Sequence, residues 1–230
     1  MRKSLVLAGL LLLVAGTIMA QDDFPKAEIT PEFEYIHTSP PFGTRVVTNP
    51  TTGQAVRIGN QSFNCLGGGG SFAYNFTSLI GLVADLDYCK LTNLGSVFNP
   101  AGANVNVNQF TYLFGPRFTW RGPSKIEPFG EILFGGDRLS LTCKGGATVC
   151  FTLFPNTSRN AFALGAGGGF NVKLTRRLIL RPVDAEYLYT RFGNNCAPGV
   201  NLNVCHSNQS QNSFRLTSGL TIGWGGSARY

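Results

Sequence analysis

Apolar residues alternate with polar or small ones along much of this chain, in segments of about ten residues separated by turn-forming residues. In one such segment Tyr112, Phe114 and Phe118 alternate with Gly115 and Arg117. Successive side chains of a β-strand point to opposite faces, so each segment predicts a strand with one apolar and one polar face. The chain is therefore predicted to be all-β.

The polar face of these segments carries charge and glycine, whereas the other face carries large apolar side chains. The division recurs in four further segments: Ile29, Phe33 and Tyr35 against Thr30, Glu32 and Glu34; Leu82, Ala84, Leu86 and Tyr88 against Gly81, Val83, Asp85 and Asp87; Phe162, Leu164, Phe170, Val172 and Leu174 against Ala163, Gly165, Gly167, Gly169, Asn171 and Lys173; and Phe214, Leu216, Leu220, Ile222 and Trp224 against Arg215, Thr217, Gly219 and Thr221. Buried charges need partners or water, so the charged face is expected to line an interior. A polar interior with an apolar exterior is the reverse of a soluble β-sandwich.

An apolar exterior fits a membrane. A spanning helix needs about 20 apolar residues, and after Ala20 the longest uncharged apolar stretch runs only from Ala161 to Phe170. The other structure that satisfies every backbone group in hydrocarbon is a closed barrel. We therefore predict an eight-stranded antiparallel transmembrane β-barrel with an up-and-down meander.

Two of the predicted strands contain glycine clusters. The second, from Phe63 to Phe76, crosses Gly67–Gly70, which lacks the Lys-Ser/Thr that would follow in a phosphate-binding loop. The fifth, from Glu127 to Ser140, has Phe129 and Phe134 at opposite parity. Its two adjacent glycines, 135 and 136, are candidates for a β-bulge.

The seventh strand, Leu178 to Phe192, has an irregular pattern. Its predicted outer side holds Ile179, Val183, Tyr187 and Tyr189, but Arg181 has the same parity as these residues. Two interpretations stay open: Pro182 shifts the register, or Arg181 snorkels to the membrane interface.

Connection lengths agree with a membrane barrel, because such barrels have short periplasmic turns and longer external loops. The gaps near 75–78, 122–125 and 175–177 are short, and those at 40–61, 92–104, 141–158 and 193–212 are long. Three short turns alternating with four long loops give eight strands with both chain ends on the periplasmic side.

The first twenty residues have the pattern of an export signal. Arg2 and Lys3 are followed by the apolar stretch Leu5–Ala15 and then by small residues up to Ala20. Cleavage after Ala20 would leave a short lead at 21–26, the barrel at 27–224 and a tail at 225–230; an uncleaved membrane anchor is the alternative.

Composition restricts the partners. Loss of Arg2 and Lys3 lowers the formal net charge from +7 to +5, without the clustered Lys/Arg runs of a nucleic-acid-binding protein. No Cys/His spacing indicates zinc, and we expect no metal or other cofactor.

Several segments resemble the outer membrane protein β-barrel domain family, the small OmpA/OmpX-like barrels. The similarity covers the mature sequence and includes Leu113–Arg117, Pro128–Gly130 and the last strand. It implies an integral protein in the outer membrane of a Gram-negative-type bacterium, surrounded by outer-membrane lipid and lipopolysaccharide. Ser218, Gly219, Ile222 and Trp224 are similar to the family's C-terminal signal for the barrel assembly machinery. Family members usually end near this aromatic residue, whereas this chain continues to Tyr230.

Six cysteines in an exported chain suggest disulfides. If Asn75 faced Leu79 across the first turn, Cys65 and Cys89 would stand directly opposite each other on the inward parity. We therefore predict a Cys65–Cys89 bridge. Local pairs Cys143–Cys150 and Cys196–Cys205 would close the third and fourth loops, although about fifteen pairings are formally possible.

The charges separate into two predicted sets. Parity places an ion-pair network inside the barrel, and eight strands leave a lumen that side chains can fill: Glu32, Glu34, Asp85, Asp87, Arg117, Glu131, Lys173, Asp184, Glu186 and Arg215. The loops and adjoining strand ends carry only cations, which either bind lipopolysaccharide or an acidic surface partner or form a merely solvated rim: Arg45, Arg57, Lys90, Lys144, Arg159 and Arg191.

Two functional hypotheses follow. The first is a non-enzymatic protein with a structural or surface-interaction role, and the second is an enzyme acting on lipid or peptide at the loop rim. The sequence offers only His37 and His206 as histidine bases, and the sequence neighbours His206 and Ser207 are poorly placed to act as a dyad. We therefore favour the first.

Overall fold

A computed structural model shows a closed barrel of eight antiparallel strands. The structure describes residues 24–39, 45–48, 55–58, 62–92, 104–144, 157–193, 195–198, 203–206 and 209–225. The barrel strands are β1 (Ala27–Thr38), β4 (Phe63–Asn75), β5 (Ile80–Thr92), β6 (Asn104–Thr119), β7 (Ile126–Lys144), β8 (Thr157–Lys173), β9 (Leu178–Phe192) and β12 (Gln209–Trp224). The predicted fold class is thereby confirmed.

The strands follow an up-and-down order, and the barrel closes where β1 pairs with β12. Short connections at one end join β4 to β5, β6 to β7 and β8 to β9. Two of the long connections at the other end contain small hairpins that the sequence did not predict. These are β2 (Arg45–Thr48) with β3 (Ala55–Ile58), and β10 (Asn195–Pro198) with β11 (Asn203–His206). In the described residues, no helix is long and apolar enough to cross a membrane.

Alternation along the strands separates the exterior from the lumen. Outward-facing Phe33, Leu86 and Phe162 are 56%, 55% and 55% exposed, whereas Glu34 and Thr221 on the inner face are fully buried. A barrel surface of large exposed apolar side chains is stable in hydrocarbon and unfavourable in water. The exterior is therefore a lipid-facing surface.

The lumen also contains an apolar cluster, to which each of the strands β4 to β9 contributes one side chain. Its members are Ala73, Val83, Leu113, Leu133, Ala163 and Leu188. The facing walls β1 and β12 contribute mainly polar groups to the lumen. Apolar side chains from β4 to β9 and polar or charged side chains from all parts of the wall thus fill the interior together.

The turn between β4 and β5 differs from the prediction. Asn75 pairs with Gly81 and not with Leu79, because Phe76–Leu79 forms a four-residue turn. Thr77 stabilises this turn, since its Oγ1 accepts hydrogen bonds from the backbone N–H groups of Leu79 and Ile80 at 3.2 and 2.9 Å. The predicted register was therefore wrong by two residues, a slip that leaves every side chain on its predicted face.

Strand β9 contains one extra residue at Pro182. Its pairing with β8 shifts between Phe170 and Val172, and its pairing with β12 shifts between Thr217 and Gly219. Before the bulge Ile179 and Arg181 point inward; after it Asp184 and Glu186 do. The register-shift interpretation is therefore correct. The snorkelling alternative and the outward placement of Ile179 are wrong, since Arg181 is 0% exposed and Ile179 2%.

Strand β7 resolves the conflicting parity of its two phenylalanines. Phe129 points inward and is 5% exposed, whereas Phe134 points outward and is 47% exposed. The strand keeps one register with β6 and with β8 through Gly135 and Gly136, so the candidate bulge there is wrong. Gly136 instead lies beneath the Tyr112 ring, where a Cβ would come within 2.2 Å of the hydroxyl oxygen.

Candidate functional sites in the lumen and at the two rims

All acidic side chains that the structure describes are buried in the barrel. The chain has 12 Asp and Glu residues; Asp22 and Asp23 lie outside the described residues, and the remainder are each at most 7% exposed. These lumen acids are Glu28, Glu32, Glu34, Asp85, Asp87, Glu127, Glu131, Asp137, Asp184 and Glu186. The charge that remains exposed on the described surface is therefore entirely positive.

Arg215 of β12 is the centre of the largest ion-pair cluster. Its Nε lies 2.6 Å from Glu186 Oε2 on the neighbouring strand β9, and its Nη1 lies 2.7 Å from Asp87 Oδ2 on β5. Nη2 donates to Asp85, and Glu34 Oε1 lies 3.7 Å from Nη1. One guanidinium therefore joins carboxylates from β1, β5 and β9 through the lumen.

A second cluster surrounds the inward ring of Phe129. The guanidinium carbons of Arg117 and Arg181 lie 4.9 and 4.8 Å from the ring centroid. Arg117 Nε donates to Glu131 at 2.5 Å, and Arg181 Nη1 donates to Glu32 at 3.0 Å. Arg181 Nη1 also lies 4.0 Å from Asp184 Oδ2. Cation–π contact explains why an aromatic ring is stable among charges.

A third group of ion pairs lies at the short-turn end. Arg121 Nη2 donates to Glu28 Oε1 at 2.8 Å, and Arg121 Nη1 donates to the Ser78 carbonyl oxygen at 2.8 Å. Lys173 Nζ lies 2.5 Å from Glu127 Oε1. Asn75 Nδ2 donates to Glu28 Oε1 as well, at 2.8 Å. These contacts connect β1, β4, β7 and β8 across the end of the lumen.

The structure buries nine of the ten predicted lumen charges, whereas the Lys173 side chain is 35% exposed at the short-turn end. It adds five charges that the sequence analysis missed. Glu28, Glu127 and Asp137 share the inward parity of their strands, so the alternation could have identified them. Arg181 required knowledge of the Pro182 bulge. Arg121 follows β6 in a connection, where strand parity gives no signal.

Some lumen oxygens have no hydrogen-bond partner among the described residues. They include both carboxylate oxygens of Glu34 and single oxygens of Asp87, Asp184 and Glu186. Buried carboxylates need protons or water when protein partners are lacking. Carboxylate oxygens of Glu131, Asp184 and Glu186 lie within 4.8 Å of one another. Arg117 and Arg215 already donate to the two glutamates, so this group is an arginine-bridged cluster.

Cations occupy the long-loop rim. Lys90 and Arg191 are exposed, and Arg159 is half-buried on the inward parity of β8. The structure adds exposed Arg138, which stands opposite Phe110 and Asn160 on the adjacent strands. Arg45 and Arg57 lie in the β2–β3 hairpin and Lys144 ends β7, but the structure does not describe their side chains.

One of the predicted disulfides lies within the described side chains. Cys65 is bonded to Cys89, with 5.6 Å between the Cα atoms, although Cys89 faces Gly67 and Cys65 faces Leu91 across the strands. The bond is thus diagonal and not directly cross-strand. Cys196 is the backbone partner of Cys205 in the β10–β11 hairpin, whereas Cys143–Cys150 extends outside the described residues.

The predicted assembly-signal residues lie in the closing strand β12. Ile222 and Trp224 point outward, 49% and 45% exposed, and Trp224 packs against Phe72 at 6.4 Å between ring centroids. A Cβ on Gly219 would come within 2.4 Å of the Pro31 carbonyl oxygen, so glycine permits a close approach of β12 to β1. Ser218 pairs with Phe33 on β1.

One of the two candidate histidine bases, on β1, lies beside an asparagine side chain. His37 is exposed, and its Nδ1 lies 2.7 Å from Asn64 Oδ1 on β4. An amide can orient an imidazole but supplies no nucleophile. The His206 side chain is outside the described residues.

The barrel is similar to those of several solved outer-membrane proteins. The chain matches the crystal structure of Neisserial surface protein A with a TM-score of 0.56 and 12% identity, over 86% of this chain and 97% of that one. The fold is that of the small eight-stranded outer-membrane β-barrels. The outer membrane protein OprG from Pseudomonas aeruginosa matches with a TM-score of 0.46 and 12% identity, over 88% and 98% of the two chains. The outer membrane protein AlkL matches with a TM-score of 0.46 and 14% identity, over 92% and 95%. No protein-family model and no curated protein sequence matches the chain.

Proposed function

We propose that this chain is a non-enzymatic outer-membrane protein with a structural or surface-interaction role, and that cations at its long-loop end bind lipopolysaccharide. The observation that carries the proposal is the segregation of charge. The described acids are all buried in the lumen, so they cannot neutralise cations on the exterior. An anionic partner therefore meets only positive charge among the described residues of this rim.

The described rim cations lie beside outward-facing aromatic rings. Arg138 shares a row with Tyr88 and Phe110, and Arg191 stands opposite Phe162. Aromatic rings are typical of the membrane interface, so the guanidinium groups are positioned at headgroup depth. Arginine forms bidentate hydrogen bonds with phosphate, and phosphates are the anions that lipopolysaccharide presents at this depth.

The lipopolysaccharide proposal is tested with lipid A and its dephosphorylated form. The wild-type barrel should prefer the phosphorylated ligand, and the preference should weaken with salt because surface charges are screened. Changing Lys90, Arg138 and Arg191 to Gln should reduce the affinity for lipid A roughly tenfold or more. If this variant still preferred phosphorylated lipid A as strongly as the wild-type barrel does, the proposed role of these residues would be contradicted. A second variant, with Arg45, Arg57, Lys144 and Arg159 changed to Gln, tests the loop cations.

A structural or surface role is also compatible with a closed lumen. The ion pairs of Arg121, Arg181 and Arg215 occupy the interior at three places. These side chains fill space that water would otherwise occupy, so little room is left for an ion path. Stable large conductance of the wild-type protein in planar bilayers would contradict this proposal, with a trimeric porin as the positive control. Absence of such conductance under the same conditions is the expected result.

The enzymatic alternative makes a different prediction. An enzyme at the loop rim would change lipid or peptide substrates and would depend on His37 or His206. We expect no new lipid product when the purified barrel is incubated with phospholipid and lipopolysaccharide. A product that disappears in the His37→Ala/His206→Ala variant would establish the alternative.

A further inference from the structure

The short-turn end of the barrel carries a second group of exposed cations, distinct from the long-loop rim. Lys125 ends the β6–β7 connection, and Arg176 and Arg177 form the tip of the β8–β9 turn. We call these three residues the basal cations. All three are exposed, and no ion pair within the described residues involves them. Their charge is therefore available to a partner outside the chain.

Backbone contacts bring the basal cations to one side of the barrel. The Lys173 N–H donates to the Lys125 carbonyl oxygen at 2.8 Å, and the Gly223 N–H donates to the Arg177 carbonyl oxygen at 2.8 Å. The β6–β7 connection, the β8–β9 turn and the end of β12 are consequently neighbours. The three cations therefore lie on adjacent connections at this end of the barrel, beside β7, β8, β9 and β12.

Turn geometry does not require arginine at these positions. Thr175 Oγ1 accepts hydrogen bonds from the Arg177 and Leu178 N–H groups at 3.2 and 3.0 Å. Thr77 makes the same pair of contacts in the β4–β5 turn, where Ser78 and Leu79 occupy the positions of the two arginines. The fold thus builds this turn equally well without charge, so the two arginines serve the surface and not the turn.

Apolar and aromatic side chains border the basal cations on the membrane side. Trp120, Ile126, Leu174 and Trp224 are exposed by 59%, 54%, 52% and 45%. Indole rings favour the membrane interface, where one edge contacts hydrocarbon and the other meets headgroups. A cation in a turn that follows directly after this belt lies at the level of the lipid phosphates.

We propose that the basal cations form a binding surface for anionic phospholipid headgroups, such as phosphatidylglycerol, in the periplasmic leaflet. The partner is a lipid because the cations adjoin the lipid-facing aromatic belt. The same charges on a turn projecting into solvent would instead suit the carboxylates of the cell wall.

The two tryptophans of the chain provide a local probe of this site. Trp120 belongs to the same connection as Lys125, and Trp224 directly follows Gly223, whose N–H donates to Arg177. Lipids with brominated acyl chains quench indole fluorescence on contact. Quenching by brominated phosphatidylglycerol relative to brominated phosphatidylethanolamine therefore reports which headgroup is enriched beside the basal cations.

The experiment uses the full mature chain folded into vesicles of the two lipids. At low salt, brominated phosphatidylglycerol should quench the wild-type protein more strongly, with a relative binding constant roughly fivefold above that of phosphatidylethanolamine. The Lys125→Gln/Arg176→Gln/Arg177→Gln variant should show equal quenching by the two lipids. The matched control, Lys90→Gln/Arg138→Gln/Arg191→Gln at the opposite end, should keep the wild-type preference.

Equal quenching of the wild-type protein would overturn the proposal, and so would a full preference in the basal variant. Cosedimentation with peptidoglycan that depends on the basal cations, without any lipid preference, would assign this surface to the cell wall instead. Heat-modifiable gel mobility of each variant verifies that the barrels have folded.

Discussion

The Arg215 guanidinium donates to Asp87 inside the lumen, with 2.7 Å between Nη1 and Oδ2, although 128 residues separate the two in the sequence. Asp87 lies on β5 and Arg215 on β12, three strands apart around the barrel. The Nε atom of the same guanidinium lies 2.6 Å from Glu186 Oε2 on β9. The Arg215–Asp87 contact therefore holds together parts of the wall that no backbone ladder joins.

Arg215→Met is expected to lower the free energy of unfolding by about 3–5 kcal/mol, because removing one partner of a buried ion pair leaves the others uncompensated. Four carboxylates surround this single cation. Urea-induced unfolding in lipid vesicles, followed by tryptophan fluorescence, measures the change. Arg191→Met, at an exposed position, is the control and should unfold near the wild-type urea concentration. Equal stability of Arg215→Met and the wild type would show that the cluster is not structural.

Gly67 controls the geometry of the disulfide. A Cβ at Gly67 would lie 2.4 Å from Cys89 Cβ and 2.1 Å from the Tyr88 carbonyl oxygen, so β4 and β5 would have to separate. Gly67→Ala is expected to cost about 1–3 kcal/mol, as overpacking does elsewhere, and to lower the yield of the Cys65–Cys89 bond. Urea unfolding and thiol alkylation with mass spectrometry measure the two effects.

Gly130→Ala is the matched control for Gly67→Ala. Its nearest heavy atom would be the Gly167 carbonyl oxygen at 3.6 Å, an ordinary van der Waals contact. This variant should keep its disulfide and most of its stability. Full oxidation and wild-type stability of Gly67→Ala would mean that the strands accommodate a methyl group there.

Local alternation explains why most of the fold could be predicted from the sequence. The inward or outward position of a residue such as Glu34 or Phe162 depends only on strand parity, which is visible in a few residues. Registers depend on other information. The β4–β5 register depended on Thr77 acting as a hydrogen-bond acceptor, and an alternation pattern does not record that role.

The errors within the site also have physical causes. Phe129 was difficult to place because its inward ring is stabilised by Arg117 and Arg181, which belong to β6 and β9. The alternation pattern of one strand gives no information about contacts with side chains on other strands. The small hairpins β2–β3 and β10–β11 have strands of four residues, too short for alternation to distinguish them from loops.

The Pro182 bulge leads to a prediction about chain length. Arg181 and Asp184 both point inward, and two residues separate them where a regular strand has one. Deletion of Pro182 should therefore restore strict alternation and keep every other side chain of β9 on its present face. We expect this variant to fold into a barrel with heat-modifiable mobility in detergent gels.

Deletion of Ala185, three residues further along β9, is the decisive comparison. It shortens the same strand by one residue but leaves no arrangement in which Asp184 and Glu186 both stay in the lumen. If the bulge persists, Glu186 turns toward lipid and Arg215 loses its nearest β9 partner; if the bulge is absorbed, Asp184 turns toward lipid. A carboxylate facing hydrocarbon is unfavourable, so this variant should fold poorly or unfold at a much lower urea concentration. Equal folding of the two deletion variants would contradict the assignment of the extra residue to Pro182.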